Sequence, residues 1–218
     1  MALVGRTLED RHAVVYLVPR FLEQDRGEIR IDGQNIRFAT LESLRVQTAL
    51  VMEQELVFTG MVRDNIGCGD PSYTLQHIVE AAKAAHAHQF IQHLRGGYET
   101  MIGDEGVELS AGEKFRIALA RAILRDPALV VIEEPTDGLD EATKALLDDT
   151  YARFLSARTV IFLPRRLSTL RSCDQIFLFE QGRLLDSGTH RALLESHDLY
   201  RHLIYTHYSV PSALGRET

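Results

Sequence analysis

The chain has 218 residues, 45% of them hydrophobic and 25% charged, enough to bury one substantial core. Its formal net charge of −7 argues against a nucleic-acid partner held by a broad basic surface. Cys68 and Cys173 stand in no metal-ligand spacing, which reads as free thiols in a reducing, cytosolic setting, and no apolar run is long enough to cross a bilayer.

Ala2, Leu3, Val4 and Gly5 predict a short buried strand. Residues 14–22 predict an apolar helix strained by Pro19. Residues 28–32 alternate like an edge strand that turns at Gly33, and residues 46–52 predict another strand. From about 62 to 126 the pattern is helical, broken by a turn at Gly96 and Gly97, and this stretch is expected to form an inserted subdomain. Beyond it, strands are expected at 129–132, 159–163 and 175–180, with helices at 141–155 and 167–170 between them. A last strand and two short helices follow. Strands alternating with helices imply a mainly parallel sheet covered on both faces. The tail at 209–218 is expected to be loose.

Residues 109–140 read LSAGEKFRIALARAILRDPALVVIEEPTDGLD: a helix entry, a buried strand ending in Glu133 and Glu134, and a tight turn. That order resembles the signature motif, Walker B strand and D-loop of an ATP-binding cassette (ABC) transporter ATPase. The run GYETMIGDEGVELSAGE at 97–113 is similar to the exporter-type approach to the signature. GMVRDNIGCGDP at 60–71 resembles the segment that opens its helical subdomain.

The resemblance covers residues 1–208 and implies an α/β fold, the P-loop NTPase core of the ABC ATPase type, with an inserted α-helical subdomain at about 62–126. It implies ATP and Mg²⁺ as cofactors. The partners it implies are a second ABC nucleotide-binding domain, paired head to tail, and the transmembrane domains of a transporter. Those domains would hold the chain at the cytoplasmic side of a membrane. Family domains carry two earlier strands and an aromatic residue that stacks on adenine. On that comparison the chain is expected to be N-terminally truncated and to lack an adenine platform.

Several chemical positions depart from the family. GRTLEDRHA at 5–13 stands where the phosphate loop G-x-x-G-x-G-K-[ST] belongs. Gly5 and Thr7 match; Leu8, Glu9 and Asp10 replace the glycine-serine-glycine, Arg11 the lysine, His12 the metal-binding hydroxyl, and Ala13 follows. Side chains at 8 and 10 fill space that phosphate needs, and two carboxylates facing a triphosphate cost about 3 kcal/mol per charge pair at ~5 Å and an effective dielectric of ~20. Asp10 suits the cap of the helix that follows. The loop reads as self-capped and phosphate-excluding; the alternative is an altered site that still holds nucleotide weakly.

Glu53 takes the Q-loop glutamine position, where it either approaches a metal or stays a solvated loop carboxylate. The signature LSAGE keeps Ser110 and Gly112, while Ala111 and Glu113 depart from LSGGQ. The resemblance implies that this helix start meets the γ-phosphate bound by the opposite subunit. Without a partner it is a helix start with an early glutamate. Glu133 replaces the metal-organising aspartate, Glu134 keeps the general-base position, and Asp140 keeps the D-loop aspartate. Arg165 replaces the H-loop histidine; it suits an anion but cannot relay a proton near neutrality. His77, His86, His88 and His93 read as solvated helix positions rather than a metal site.

Three functions remain open: a degenerate partner that lends its signature face to an active domain, an active ATPase that tolerates the changes, and a non-functional fragment of a larger transporter. Joint loss at the phosphate-loop, metal and H-loop positions disfavours the second. Retention of Ser110, Gly112, Glu134 and Asp140 disfavours the third.

Overall fold

The computed structural model describes residues 1–7, 9–53, 56–136 and 139–208, with the backbone alone at positions 9 and 10. The chain divides into two compact units, Met1–Glu23 with the stretch from Ile161 onward, and Gln24–Val160.

In the first unit, strand β1 (Ala2–Gly5) has parallel neighbours on both sides. It meets β8 (Thr159–Leu163) at Ala2↔Phe162 and runs in register with β9 (Ile176–Glu180) from Ala2↔Ile176 to Gly5↔Phe179. Ala2, Leu3 and Val4 are at most 3% exposed, as a continuous apolar run in a parallel sheet requires. Strand β10 (Arg183–Gly188) adds antiparallel to β9, with a bulge between Leu184 and Asp186.

Helix α1 spans Glu9–Leu17, not 14–22. Pro19 disfavours helical geometry at Val18, so the helix stops one residue earlier and Arg20 turns at a φ of 54°. Its polar opening, EDRH, escaped an expectation built on apolar periodicity. Asp10 stands second in the helix and is therefore not its N-cap. Leu8, the side chains of Glu9 and Asp10, and the tail at 209–218 lie outside the described residues. Helices α8 (Leu167–Ser172), α9 (His190–Ser196) and α10 (Asp198–Leu203) complete the unit. Tyr200, fully buried, bonds His190 Nδ1 at 2.8 Å, and Tyr208 donates to the Pro164 carbonyl at 2.9 Å.

In the second unit, β4 (Thr48–Val51) pairs parallel with β7 (Leu129–Glu133) in the register Thr48↔Leu129 to Val51↔Ile132. The expected edge strand at 28–32 is shorter: β2 (Arg30–Ile31) and β3 (Gln34–Asn35) form a hairpin. Its two turn residues, Asp32 and Gly33, both take positive φ, the geometry a two-residue hairpin turn favours. Helix α2 (Leu41–Val46) starts on a Thr40 cap.

The central stretch is mostly helical: α3 (Val62–Gly67), α4 (Leu75–Ala84), α5 (His88–His93) and α6 (Ala111–Arg125). A small antiparallel pair, β5 (Gly60–Met61) with β6 (Met101–Ile102), is set into it. Helix α6 buries Phe115, Ile117, Ala118, Leu119 and Ala120, and α3, α4, β4 and α7 (Glu141–Phe154) all pack on it. It ends at Asp126, in the left-handed region at φ 48°, because Pro127 cannot continue a helix. Asn65, fully buried, accepts from Phe58 N–H and donates to the Phe58 and Met61 carbonyls, so no buried polar atom of its amide is wasted.

Candidate functional site

The parallel register of β4 and β7 delivers Glu53 and the Glu133–Glu134 pair past the same end of the strands. Glu133 is 3% exposed and Glu134 fully buried. Glu53 donates its backbone N–H to Glu133 Oε2 at 3.3 Å. Its own carboxylate is engaged on both oxygens: Oε1 accepts from Thr136 N–H at 2.7 Å and Oε2 from the Thr136 hydroxyl at 2.8 Å. Glu53 also borders a cleft of about 540 Å³, with Leu56, Val57, Asp104, Glu108 and Lys114 among its lining. Gln54, beside Glu53, lies outside the described residues.

In the other unit, Gly5 closes β1 opposite Phe179. Arg11, at the expected lysine position, is only 5% exposed and donates Nε–H to the Thr7 carbonyl at 3.2 Å. The His12 ring lies 5.7 Å from Tyr16, one helical turn on, and Ala13 is exposed. Arg165 follows Pro164 in the connection from β8 to α8, half-buried.

The signature segment forms a helix start. Ser110 caps α6, its hydroxyl accepting from Glu113 N–H at 3.3 Å. Glu113 Oε2 accepts in return from the Ser110 N–H at 2.9 Å and from its hydroxyl at 2.8 Å. This is a reciprocal capping box. Ser110 is exposed, Ala111 half-exposed and Gly112 buried. A Cβ on Gly112 would stand 2.8 Å from Thr143 Cγ2 and 3.4 Å from Leu139, so close approach of α6 to α7 demands the glycine. Asp140 caps α7 through Thr143 N–H at 2.7 Å. Hydrogen bonds from Thr143 hold the Asp140 carboxyl below its ordinary range, and the charges of Arg116 and Lys144 add to this. Arg116 donates to the Gly112 carbonyl at 3.2 Å and the His86 carbonyl at 2.9 Å, and burial lowers its own pKa. Asp137 and Gly138 lie outside the described residues.

The structure thus brings Glu53 to Glu133, and Gly112 to the start of α7. Thr7, a matched loop position, receives Arg11, and two threonines outside the expected site make the other contacts: Thr136 for Glu53 and Thr143 for both Gly112 and Asp140. Their signal was available only as hydroxyl residues beside altered motif positions. The expected helical histidines are partnered: His86 with Asp149 at 2.5 Å, His88 with the Tyr98 hydroxyl at 2.8 Å and His93 with the Gln89 carbonyl at 2.7 Å, while His77 completes a capping box with Thr74. Desolvation raises the Tyr98 pKa to about 12.

Residues 13–137 match the family model described as ABC transporter. The chain is 41% identical over 196 residues to ABC transporter B family member 17 of Arabidopsis thaliana, covering 89% of this chain and 16% of that protein. It is 38% identical over 203 residues to the putative multidrug export ATP-binding/permease protein YgaD of Bacillus subtilis, covering 93% of this chain and 35% of that protein. The chain therefore spans about a third or less of the length of these relatives. The solved structure of a bacterial Atm1-family ABC exporter with ATP bound superimposes with a TM-score of 0.87 at 33% identity, over 97% of this chain and 37% of that one.

Proposed function

As the chain belongs to the ABC transporter family, we propose that it works as an exporter-type ATP-binding domain whose own nucleotide site is impaired. In this reading it stands beside a second nucleotide-binding domain and the transmembrane domains of a transporter, and lends them its signature helix start. One observation carries the reading: side chains at ligand-binding positions are already bonded to other parts of the chain. Arg11 is buried against its own loop carbonyl rather than extended toward a phosphate. Both oxygens of Glu53 already accept a hydrogen bond from Thr136, so turning toward a cation would break or share that tie. The fit to MgATP is therefore poor, in charge as well as in geometry. Glu53 puts a negative carboxylate where the family has a neutral glutamine, and Arg11 puts a guanidinium where it has an ammonium.

The boundaries we propose are one ABC ATPase domain over residues 1–208 with a helical subdomain at about 62–126. The place of work is the cytoplasmic side of a membrane, reached through transmembrane domains; among the described residues no helix is long and apolar enough to span one.

A competing reading, an active ATPase, draws on the retained Glu134, wholly buried at the end of β7. A general base needs a bound γ-phosphate and water before it. Calorimetric titration with MgATP decides: affinity weaker than micromolar is expected, and micromolar binding would sink the proposal. Leu8→Gly, Glu9→Ser, Asp10→Gly, Arg11→Lys, His12→Ser and Ala13→Thr together rebuild the family loop and are expected to raise affinity. Hydrolysis is expected to stay low until Arg165→His is added; full turnover from loop repair alone would refute the weight placed on Arg165.

A further inference from the structure

The tie between Glu53 and Thr136 joins residues 83 positions apart at the ends of two paired strands. A carboxylate is suited to it. Its two oxygens meet two donors on one residue, and an ionised acceptor makes stronger hydrogen bonds than a neutral one. The Glu53 N–H, turned to Glu133 Oε2, fixes the backbone from which that carboxylate extends. Thr136 lies in the connection from β7 to α7, so the tie acts on the segment that follows the strand's two acids.

We propose that Glu53 is a latch: a Q-loop residue that has exchanged ligand sensing for a standing hold on Thr136, fixing the first residues of the connection between β7 and α7 regardless of nucleotide. The proposal rests on the impaired-site reading and states how that site is regulated. A glutamine at this position could move toward a bound metal or phosphate when one arrives. Glu53 holds Thr136 with both oxygens and is repelled by phosphate, so the connection after β7 receives no signal from this chain's own site.

The test is hydrogen exchange at the Thr136 amide, read by NMR on the full chain alone, with Mg²⁺, and with MgATP. Protection is expected to be the same in all three conditions. Glu53→Ala is expected to speed exchange about tenfold, as loss of a charge-assisted hydrogen bond implies. Glu53→Gln is expected to stay within about threefold of wild type, since its carbonyl accepts the Thr136 N–H and its NH₂ donates to the hydroxyl. Should Glu53→Ala fail to fold, Glu53→Asp, one methylene too short for both bonds, is expected to accelerate the same exchange. The latch is overturned if exchange ignores these substitutions, or if MgATP loosens Thr136 in the wild-type chain. Failure of the underlying reading looks different: micromolar MgATP binding with Thr136 unchanged removes the impaired site and leaves the latch. Weak binding with Thr136 unprotected removes the latch and leaves the impaired site.

Discussion

The positions expected to serve the chain's own nucleotide and the helix start expected to serve a partner have both lost family residues, with different results. At Arg11 and Glu53 the replacing side chain is bonded within the chain, Arg11 buried against the Thr7 carbonyl and Glu53 holding Thr136 with both oxygens. At the signature the replacing Glu113 also finds an internal partner, Ser110, but the pair stays at the surface on an exposed helix N-terminus. In each case a local donor or acceptor satisfies the new charge, and at the signature that satisfaction leaves the helix start exposed. Gly112 adds a caution: its closeness to Thr143 is reason enough for a glycine, whether or not a phosphate ever approaches.

The largest test of this contrast uses a partner domain that carries an intact phosphate loop. Mixed with it, this chain is expected to support ATPase activity that Ser110→Arg abolishes and Glu134→Gln leaves nearly unchanged. The opposite pattern would mean that this chain hydrolyses ATP itself and that the comparison is inverted.

A smaller effect separates packing from recognition. Gly112→Val forces branched carbons against Thr143 and Leu139, and thermal or urea unfolding is expected to show a loss of about 1–3 kcal/mol. Unchanged stability would free Gly112 for a purely ligand-facing role. Ser110→Ala removes one side of the capping box and is expected to cost about 1 kcal/mol by the same measurement. A neutral result would show that the box in the isolated chain is not formed.

The smallest concerns pH. The Asp140 carboxyl is held below its ordinary value by Thr143, so the folded state favours its ionised form. Its contribution is complete above the unfolded-state pKa and is lost as pH falls through the lower folded one. Melting temperatures of wild type and Asp140→Asn are therefore expected to converge in acid and to differ at neutral pH. A gap that stays constant into acid would refute the assignment.

Much of the fold was legible in the residues. The apolar runs of β1, β7, β8 and β9 announce buried parallel strands, and Ser110 with Glu113 spells out the start of α6. Helix α1 was misplaced because its first turn, EDRH, is polar, so apolar periodicity carried no sign of it. Of the site, the family positions were readable, but what their replacements touch was not. Thr136 meets Glu53 only because two parallel strands end together, a fact of register that no local pattern encodes.

Helices α6 and α7 are fastened near both ends. At the start, Gly112 lies against Thr143. At the finish, Arg158 binds Asp126, donates to the Pro127 carbonyl at 3.1 Å, and sits 4.2 Å above the Phe154 ring. Two rods pinned at opposite ends over about 20 Å, at ~1.5 Å per residue, cannot splay independently. A push on the Ser110 tip has no slack to disappear into; it must arrive at Arg158 as a tilt of the pair, and a reporter dye placed there would read events at the signature from the far end.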